Sequence, residues 1–266
     1  MTAAARRVLV TGAEGTIGTA VREQLAGRYD LVALTRTPQP FPSHVADIAE
    51  LDAIRPAFEG VDAVVHLAAS PAIETPWEEV LRNNLVGTYN VYEAARAAGC
   101  ERIVFASSNH AVGMYEVEGA PQIYEPGDSR LVDHTAELRP DSLYGVSKVY
   151  GEALGRLYHE RHGLSVFNLR IGSVRSDDDP TLPSSNPLLE LDEAGRHARM
   201  RAVWLSKRDC AELIAACLDA EDVRWAVVYG VSANPGRFWD LEHARKLLGW
   251  EPRDAAMPHR EPEAKG

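Results

Sequence analysis

The sequence has few cysteines and a deficit of basic residues. Its three cysteines, Cys100, Cys210 and Cys217, form no Cys-X-X-Cys pair and no ligand-spaced cluster, which is typical of core packing rather than redox or metal chemistry. The acidic run from Asp177 to Asp179 has no ordered ligand loop around it, so no metal site is expected. The 28 Lys and Arg residues are outnumbered by 39 Asp and Glu residues, giving a net charge of -11. That charge repels phosphates and argues against nucleic acid or an anionic membrane as the main partner.

Long apolar runs are also missing. No stretch reaches the length of a membrane span, and the N-terminal "MTAAARRVLVTG" enters a strand directly instead of an apolar signal core. The 266 residues are 45% hydrophobic and 25% charged, which fits one large core or one domain with a small annex. We therefore expect a cytoplasmic, enzyme-like protein.

Short β-branched runs alternate with helical patterns along the chain. "RRVLVTG", "YDLVALTR", "VDAVVHLAA" and "ERIVFASS" indicate strands, and the segments between them have helical spacing. These strands are continuous apolar runs rather than strict alternations, which favours a parallel sheet covered on both faces. The predicted fold class is α/β, a Rossmann-type doubly wound parallel sheet with a small C-terminal substrate-binding part.

A glycine-rich turn follows the first predicted strand. "VTGAEGTIG" places Gly12, Gly15 and Gly18 at intervals of three, at the start of a helix. Glycines permit a tight turn and the close approach of a pyrophosphate, while free N–H groups near Thr16 and Ile17 present a helix N-terminus to an anion. In this strand-to-helix context, the pattern predicts a dinucleotide site.

The end of the second predicted strand bears on the choice of cofactor. An acidic side chain there would bind the ribose hydroxyls of NAD, whereas this chain has Thr35 and Arg36. The guanidinium of Arg36 suits a 2′-phosphate, so NADP is favoured and NAD stays possible; the alternative is an exposed arginine in a surface turn. Asp47 is a candidate for the adenine amino group, or else a helix cap.

Two residues of a later helix are candidates for acid–base chemistry. "DSLYGVSKVYGE" places Tyr144 and Lys148 four residues apart, on one face of the helix. A phenol with a pKa of about 10 is a poor base at neutral pH, but a nearby ammonium and a cationic nicotinamide favour the phenolate. The alternative is a surface helix pair. The position of the pair after the glycine turn and after "ASS" favours proton transfer.

These motifs together resemble the extended short-chain dehydrogenase/reductases, the NAD-dependent epimerase/dehydratase family. The glycine turn, "HLAA", "NNLVGTYN", Ser108 and the Tyr144 and Lys148 pair run in that family's order over most of the chain. The resemblance implies that Tyr144 is the general acid/base, and that Lys148 lowers its pKa and holds the nicotinamide ribose. It also implies that Ser108 binds the reacting oxygen and that Asn84 supports a proton relay through the lysine. The predicted cofactor-binding residues are Gly12, Gly15, Thr16, Ile17, Gly18, Thr35, Arg36, Asp47, Ile48, Leu67, Ala68, Ala69, Tyr144, Lys148 and Ile171.

A narrower resemblance is to the uronate dehydrogenases, which oxidise the anomeric hydroxyl of glucuronate or galacturonate to an aldarolactone. It is carried by "RIVFASSNH", "RPDSLYGVSK", "LRIGS", "VWLS" and "SANPGRFWD". By position, it implies that Asn109, His110 and Ser173 bind sugar hydroxyls beside Ser108. Arg199 would pair with the substrate carboxylate, and Ser70 is a further substrate contact. The expected activity is NAD(P)-dependent oxidation of a uronic acid or a related sugar to a lactone.

The chain divides into two expected regions. Residues 1–171 form a dinucleotide-binding core with the catalytic helix, and residues 172–266 form a smaller substrate-binding region that shares this core. Residues 174–198, rich in Asp, Pro and Ser, look like a lid-like insertion, and Met114 to Asp141 look like a long loop over the substrate. Two other functions stay open: a nucleotide-sugar epimerase or dehydratase that retains its cofactor, and a non-catalytic NAD(P)-sensing protein.

The expected partners are a small sugar or sugar acid and a second copy of the chain. The predicted helices from Trp77 to Gly99 and from Tyr144 to Gly163 resemble the pair that forms a four-helix dimer interface in this family. A homodimer is therefore expected.

Overall fold

A seven-stranded parallel sheet forms the centre of the protein. The computed structural model describes residues 5–125, 127–184 and 186–256. The strands are β1 Arg7–Thr11, β2 Asp30–Thr35, β3 His44–Val45, β4 Ala63–His66, β5 Arg102–Ser108, β6 Ser165–Ile171 and β7 Trp225–Gly230. The sheet has the order β3-β2-β1-β4-β5-β6-β7, so the chain runs outward from β1 on one side and then returns to build the other side. The predicted Rossmann-type α/β class is confirmed, and the reversal of strand order lies between β1 and β4.

Helices connect the strands and cover both faces of the sheet. The predicted long helix after β4 is built from three consecutive helical pieces, with a π-helical turn at Val80–Val86 in the middle. The α-helices are α1 Thr16–Gln24, α2 Leu51–Ile54, α3 Trp77–Glu79, α4 Gly87–Ala98, α5 Met114–Gly119, α6 Leu143–His162, α7 Glu193–Val203, α8 Lys207–Asp219 and α9 Glu242–Leu248. Short 3-10 helices lie at Arg55–Phe58, Asn109–Val112 and Gln122–Tyr124. None of the helices in the described ranges is long and apolar enough to cross a membrane.

The continuous apolar strands are buried on both faces, as their composition predicts. Successive side chains of β1 alternate between two apolar clusters, with Val8 and Val10 in one and Leu9 in the other. The first cluster includes residues of α1 and α8, and the second includes residues of α4 and α6. With both faces covered, the carboxyl edge of the sheet is left as the place for a ligand.

A third apolar cluster underlies the segment that the sequence predicts as a long loop. Ile123 and Tyr124 pack there with Phe238 and Trp239, and all four side chains are buried. The prediction of a loop throughout Met114 to Asp141 is therefore wrong in part, because α5 and a 3-10 helix form within it. Gly119 ends α5 and Pro121 precedes the 3-10 helix, where both residue types favour turns.

The C-terminal region returns to the same sheet. Strand β7 pairs with β6 in parallel, and α8 packs against α1. The division into a core of residues 1–171 and a smaller region of residues 172–266 stays a prediction, as does the lid-like role of residues 174–198. Residue 185 of that insertion and residues 257–266 lie outside the described residues.

Candidate active site

A cleft of about 820 Å³ opens along the carboxyl ends of the strands. The turn after β1 and the ends of β2, β4, β5 and β6 line it, together with the start of α6. Every predicted cofactor-binding and substrate-binding residue contributes to its wall, and of the predicted catalytic residues only Asn84 lies behind the wall. The sheet topology thus gathers side chains that are far apart in the sequence.

The glycine turn at one end of the cleft has no room for larger residues. Gly12 has φ +68, and a Cβ added there would lie 2.9 Å from the backbone nitrogen of Ala68. At Gly18, an added Cβ would lie 2.4 Å from the carbonyl oxygen of Gly12. Gly15 is the N-cap of α1, and the first-turn N–H groups of this helix have no intrahelical partner. The turn therefore fits the pyrophosphate of a dinucleotide cofactor.

An acidic side chain from outside the strand lies at the carboxyl end of β2, where the strand has no carboxylate of its own. The carboxylate of Glu14, from the glycine turn, accepts a hydrogen bond from the backbone N–H of Arg36 at 3.4 Å. The hydroxyl of Thr35 is engaged locally, since it donates to the carbonyl oxygen of Thr37 at 3.0 Å. Arg36 is exposed and forms no ion pair with the part of the chain that the structure describes. Sequence reasoning missed Glu14. The feature that could have indicated it is the single carboxylate within the glycine turn "TGAEG".

Asp47 also lies in the cleft wall and accepts hydrogen bonds from two protein groups. Its carboxylate accepts from the backbone N–H of Ala49 at 2.9 Å and from Arg82 at 2.6 Å. Burial tends to raise the pKa of Asp47, but these two hydrogen bonds outweigh it and hold the pKa below its ordinary value. The group is therefore ionised at neutral pH and remains a candidate acceptor for an adenine amino group.

Three residues of the predicted catalytic set meet in the middle of the cleft. Ser108 ends β5, and its hydroxyl accepts from the backbone N–H of His110 at 3.2 Å, which starts the following 3-10 helix. Tyr144 lies in the first turn of α6, and Lys148 lies one turn later. The Nζ of Lys148 donates to the carbonyl oxygen of Ala106 at 2.8 Å and lies 5.3 Å from the centroid of the Tyr144 ring.

The protonation state of this set is dominated by burial. Burial raises the pKa of Tyr144 to about 12, while the Ser108 hydroxyl lowers it and the Asp141 charge raises it further. Burial lowers the pKa of Lys148 to about 7. Tyr144 therefore holds its proton at neutral pH in the protein without cofactor. The predicted lowering of its pKa by Lys148 stays a prediction for the complex with cofactor.

Asn84 holds the backbone beneath the site. It lies in the π-helical turn, a distortion that is frequent at functional sites. Its Oδ1 accepts from the Ser70 N–H at 2.8 Å, and its Nδ2 donates to the Ser70 carbonyl at 3.1 Å and to the Ser147 hydroxyl at 3.0 Å. These bonds tie the end of β4 to α6, and its role in a proton relay through Lys148 stays a prediction.

A buried carboxylate that sequence reasoning missed orients one predicted substrate ligand. The Nδ1 of His110 lies 2.6 Å from the Oδ2 of Asp141, whose side chain is fully buried. The His110 ring meets the Tyr144 ring edge-on, with centroids 5.7 Å apart. This bond fixes the ring and leaves Nε2 available for a ligand. The available signal was the carboxylate just before Ser142, the N-cap of α6, in "RPDSLYG".

The remaining predicted substrate residues line the same end of the cleft. Asn109 and Ser70 are buried, and Ser173 lies where β6 passes into the following segment. Arg199, on α7, is also in the wall, but its guanidinium is engaged within the protein. Its Nε and Nη2 donate to the two carboxylate oxygens of Glu116 at 2.9 and 3.1 Å. Sequence reasoning missed Glu116 because its segment was predicted as a loop.

The other reactive side chains of the described residues have structural surroundings. Cys100, Cys210 and Cys217 are buried as free thiols, and burial raises the pKa of Cys100 and Cys210 to about 12. Within residues 5–125, 127–184 and 186–256, no group of three or more His, Cys, Asp or Glu side chains is placed to hold a metal ion.

Comparison with known proteins gives the chain a family. The family model described as "NAD dependent epimerase/dehydratase family" matches residues 8–186. An NAD-dependent glucose-6-phosphate dehydrogenase of Haloferax volcanii is 40% identical over 258 residues, covering 93% of each chain. An L-arabinose 1-dehydrogenase (NAD(P)(+)) of the same organism is 42% identical over 254 residues, covering 93% of this chain and 96% of the relative.

A solved structure matches over nearly the whole fold. A uronate dehydrogenase from Agrobacterium tumefaciens, in a mutant form complexed with NAD, has a TM-score of 0.76 and 35% identity. The match covers 97% of this chain and 92% of that one. The resemblances predicted from the motifs are confirmed, and the likeness extends to sugar dehydrogenases whose names include no sugar acid. The chain belongs to the NAD-dependent epimerase/dehydratase family.

Proposed function

We propose that the protein is an NAD(P)-dependent sugar dehydrogenase that oxidises the anomeric hydroxyl of a uronic acid or a related sugar to a lactone. The observation that carries this proposal is the meeting of Ser108 and Tyr144 in the cleft that also contains the glycine turn. The names of the sugar dehydrogenases to which the chain is similar support it.

The side chains around Tyr144 suit proton removal from a sugar hydroxyl. Ser108 holds the anomeric oxygen, and the Tyr144 phenolate takes its proton while the hydrogen on the anomeric carbon leaves as hydride. A bound nicotinamide supplies the hydride acceptor. The C–O bond becomes the lactone carbonyl, so two electrons and two hydrogens leave the sugar. His110 and Asn109 orient the ring hydroxyls.

The family and its relatives support NAD as a cofactor. We propose in addition that Arg36 grips the 2′-phosphate of NADP and that NADP is the favoured cofactor. The exposed guanidinium of Arg36, which lines the cleft, supports this proposal. Glu14 opposes it, because its carboxylate lies at the same edge and repels a phosphate. Replacing Arg36 with Ala is therefore expected to raise the KM for NADP about tenfold, the effect of one charged hydrogen-bond partner, and to leave the KM for NAD unchanged.

We propose that the protein forms a homodimer through α6 and the helical segment from Trp77 to Ala98. Large apolar side chains on these helices are exposed, with Trp77, Leu81, Tyr89 and Val146 between 41 and 47% exposed. The two segments also pack against each other, so their exposed sides form one continuous face. An apolar face of this kind favours association with a second copy.

The test of the proposed activity is reduced-cofactor formation by the purified protein. NAD and NADP are supplied separately with glucuronate, galacturonate, glucose, galactose and L-arabinose. Tyr144→Phe serves as the catalytic control and is expected to reduce turnover by at least about 100-fold. Turnover that survives unchanged in Tyr144→Phe, or the absence of turnover with every sugar, would overturn the proposal.

A further inference from the structure

Arg199, the predicted partner of a substrate carboxylate, is already paired with a carboxylate of the protein. Glu116 accepts from both Nε and Nη2 of Arg199, so the planar fork of the guanidinium is used in the two-point geometry that a substrate carboxylate needs. A third donor, Nη1, is bonded to the hydroxyl of Ser184. The side chains of Arg199 and Glu116 are only 6% and 1% exposed, so water screens this pair little.

Hydrogen-bond donors surround the side chain of Glu116. Besides Arg199, the hydroxyl of Tyr124 donates to its Oε1 at 2.8 Å. Tyr124 is itself buried and packs on Phe238, so the donor is fixed in place by the third apolar cluster. Burial and the Glu116 charge raise the pKa of Tyr124, which therefore stays protonated and donates at neutral pH. Glu116 is thus a built-in partner and not a mobile side chain that a ligand displaces easily.

Further acidic side chains line the same cleft. They are Glu74 and Glu79, and the carboxylate of Glu79 accepts a hydrogen bond from the hydroxyl of Ser70, one of the predicted substrate contacts. A sugar with an anionic group at carbon 6 would enter a cleft that contains these carboxylates and an arginine that is already paired. A neutral sugar would meet hydrogen-bond acceptors instead, which suit its hydroxyls.

We propose that Glu116 is a specificity-determining residue that makes this site take an uncharged aldose in preference to a sugar acid or a sugar phosphate. This inference rests on the proposed oxidation at the anomeric carbon and specifies its substrate class. A substrate carboxylate would have to compete with Glu116 for Arg199, and two carboxylates at one buried guanidinium repel each other. A sugar with an uncharged hydroxymethyl group at that position, or with no substituent there, incurs no such repulsion.

The experiment compares sugars that differ only at carbon 6. kcat/KM is measured for glucose against glucuronate and for galactose against galacturonate, with glucose 6-phosphate as a further anionic substrate. The variants are Glu116→Gln and the double variant Glu116→Gln/Arg199→Gln. Glu118→Gln is the matched control, because Glu118 lies on the same helix and forms an exposed ion pair with Arg139 outside the cleft wall. Circular dichroism and cofactor binding verify that each variant is folded.

The wild-type protein is expected to prefer the neutral member of each pair. Glu116→Gln is expected to shift the ratio toward the sugar acid by about 10- to 100-fold, the range of one charge-assisted hydrogen-bonded pair. Glu118→Gln should leave the ratio unchanged. The double variant should lose the gain on the acid, because that gain requires Arg199.

Three results would overturn this role of Glu116. The first is a wild-type preference for glucuronate over glucose, and the second is an unchanged ratio in folded Glu116→Gln. If that single variant does not fold, the wild-type protein decides: a kcat/KM for galacturonate or glucose 6-phosphate that equals or exceeds that of the neutral counterpart contradicts the inference. Each of these results leaves the proposed dehydrogenase standing, whereas the absence of turnover with all sugars and both cofactors removes both proposals.

Discussion

Replacing Asp141 with Asn tests whether a buried carboxylate positions His110 for the substrate. The Nδ1 of His110 lies 2.6 Å from the Oδ2 of Asp141, and the Ser142 hydroxyl donates to the other oxygen at 2.8 Å. Asn keeps the shape and one acceptor oxygen, but it removes the charge. The bond to His110 is thereby weakened while the N-cap of α6, formed by Ser142, is retained.

The size of the effect follows from the type of bond that is lost. A hydrogen bond to a charged group contributes about 1.5–3 kcal/mol, which corresponds to a decrease in kcat/KM of about 10- to 150-fold if the whole bond acts on the transition state. Because Asn retains one acceptor, we expect a value at the lower end of that range. Since His110 is predicted to bind the sugar, KM should rise together with the decrease in kcat.

The same change should move the pH profile in a defined direction. Burial is the main reason that the pKa of Tyr144 is raised to about 12, and the charge of Asp141 raises it further. Oxidation requires the phenolate, so activity falls as the pH drops below the pKa of Tyr144. Removing the Asp141 charge lowers this pKa. The acidic limb of the profile for sugar oxidation should therefore shift to lower pH in Asp141→Asn.

The assay is the pH dependence of kcat/KM for cofactor reduction, measured beside an Asp128→Asn control. Asp128 pairs with Arg130 and lies outside the cleft wall, so its replacement should change neither the maximal kcat/KM nor the pH of the acidic limb. The reasoning is refuted if Asp141→Asn moves the acidic limb to higher pH, or if it leaves both KM and the profile at their wild-type values.

Three further predictions concern the cofactor turn, the lysine and the dimer. Gly18→Ala is expected to abolish cofactor binding, because the new Cβ would lie 2.4 Å from the Gly12 carbonyl oxygen; titration of NAD by intrinsic fluorescence measures this, and binding at wild-type affinity would contradict it. Lys148→Met is expected to lower kcat by about 100-fold or more while the fold is retained, as measured by initial rates and circular dichroism. Leu81→Asp is expected to convert the proposed dimer into monomer in sedimentation experiments, since it introduces a charge into an apolar face.

The sheet and the cofactor end of the cleft could be predicted because their signals are local. Continuous apolar runs such as Val8 to Val10 indicate strands buried on both faces, and glycines at fixed intervals indicate a turn with no room for a Cβ. Such a sheet permits few topologies, so strand ends that are distant in the sequence were expected at one edge. The helix of Tyr144 and Lys148 was predictable for the same reason, since it follows regular helical spacing.

The partners of the predicted side chains could not be predicted in the same way. Glu14, Glu116 and Asp141 each act through a contact with a residue 22 or more positions away. Such contacts depend on how segments between the regular elements pack, and the segment around Glu116 has the composition of a loop. Its short helices are held by a distant C-terminal cluster that includes Phe238 and Trp239, which no local pattern specifies.

The positions of these carboxylates suggest how one scaffold serves several sugars. Ser108, Tyr144 and Lys148 lie on β5 and α6, so the proposed chemistry at the anomeric carbon depends on regular elements of the fold. Glu116 and Asp141 come instead from the segment between β5 and α6, where sequence changes do not disturb the sheet. A change at Glu116 can release Arg199 without altering the proposed reacting groups, whereas a change at Asp141 also alters the pKa of Tyr144. In the proposed mechanism, substrate choice is therefore separable from catalysis at Glu116, and variants of α5 should alter the sugar that is accepted while leaving cofactor binding intact.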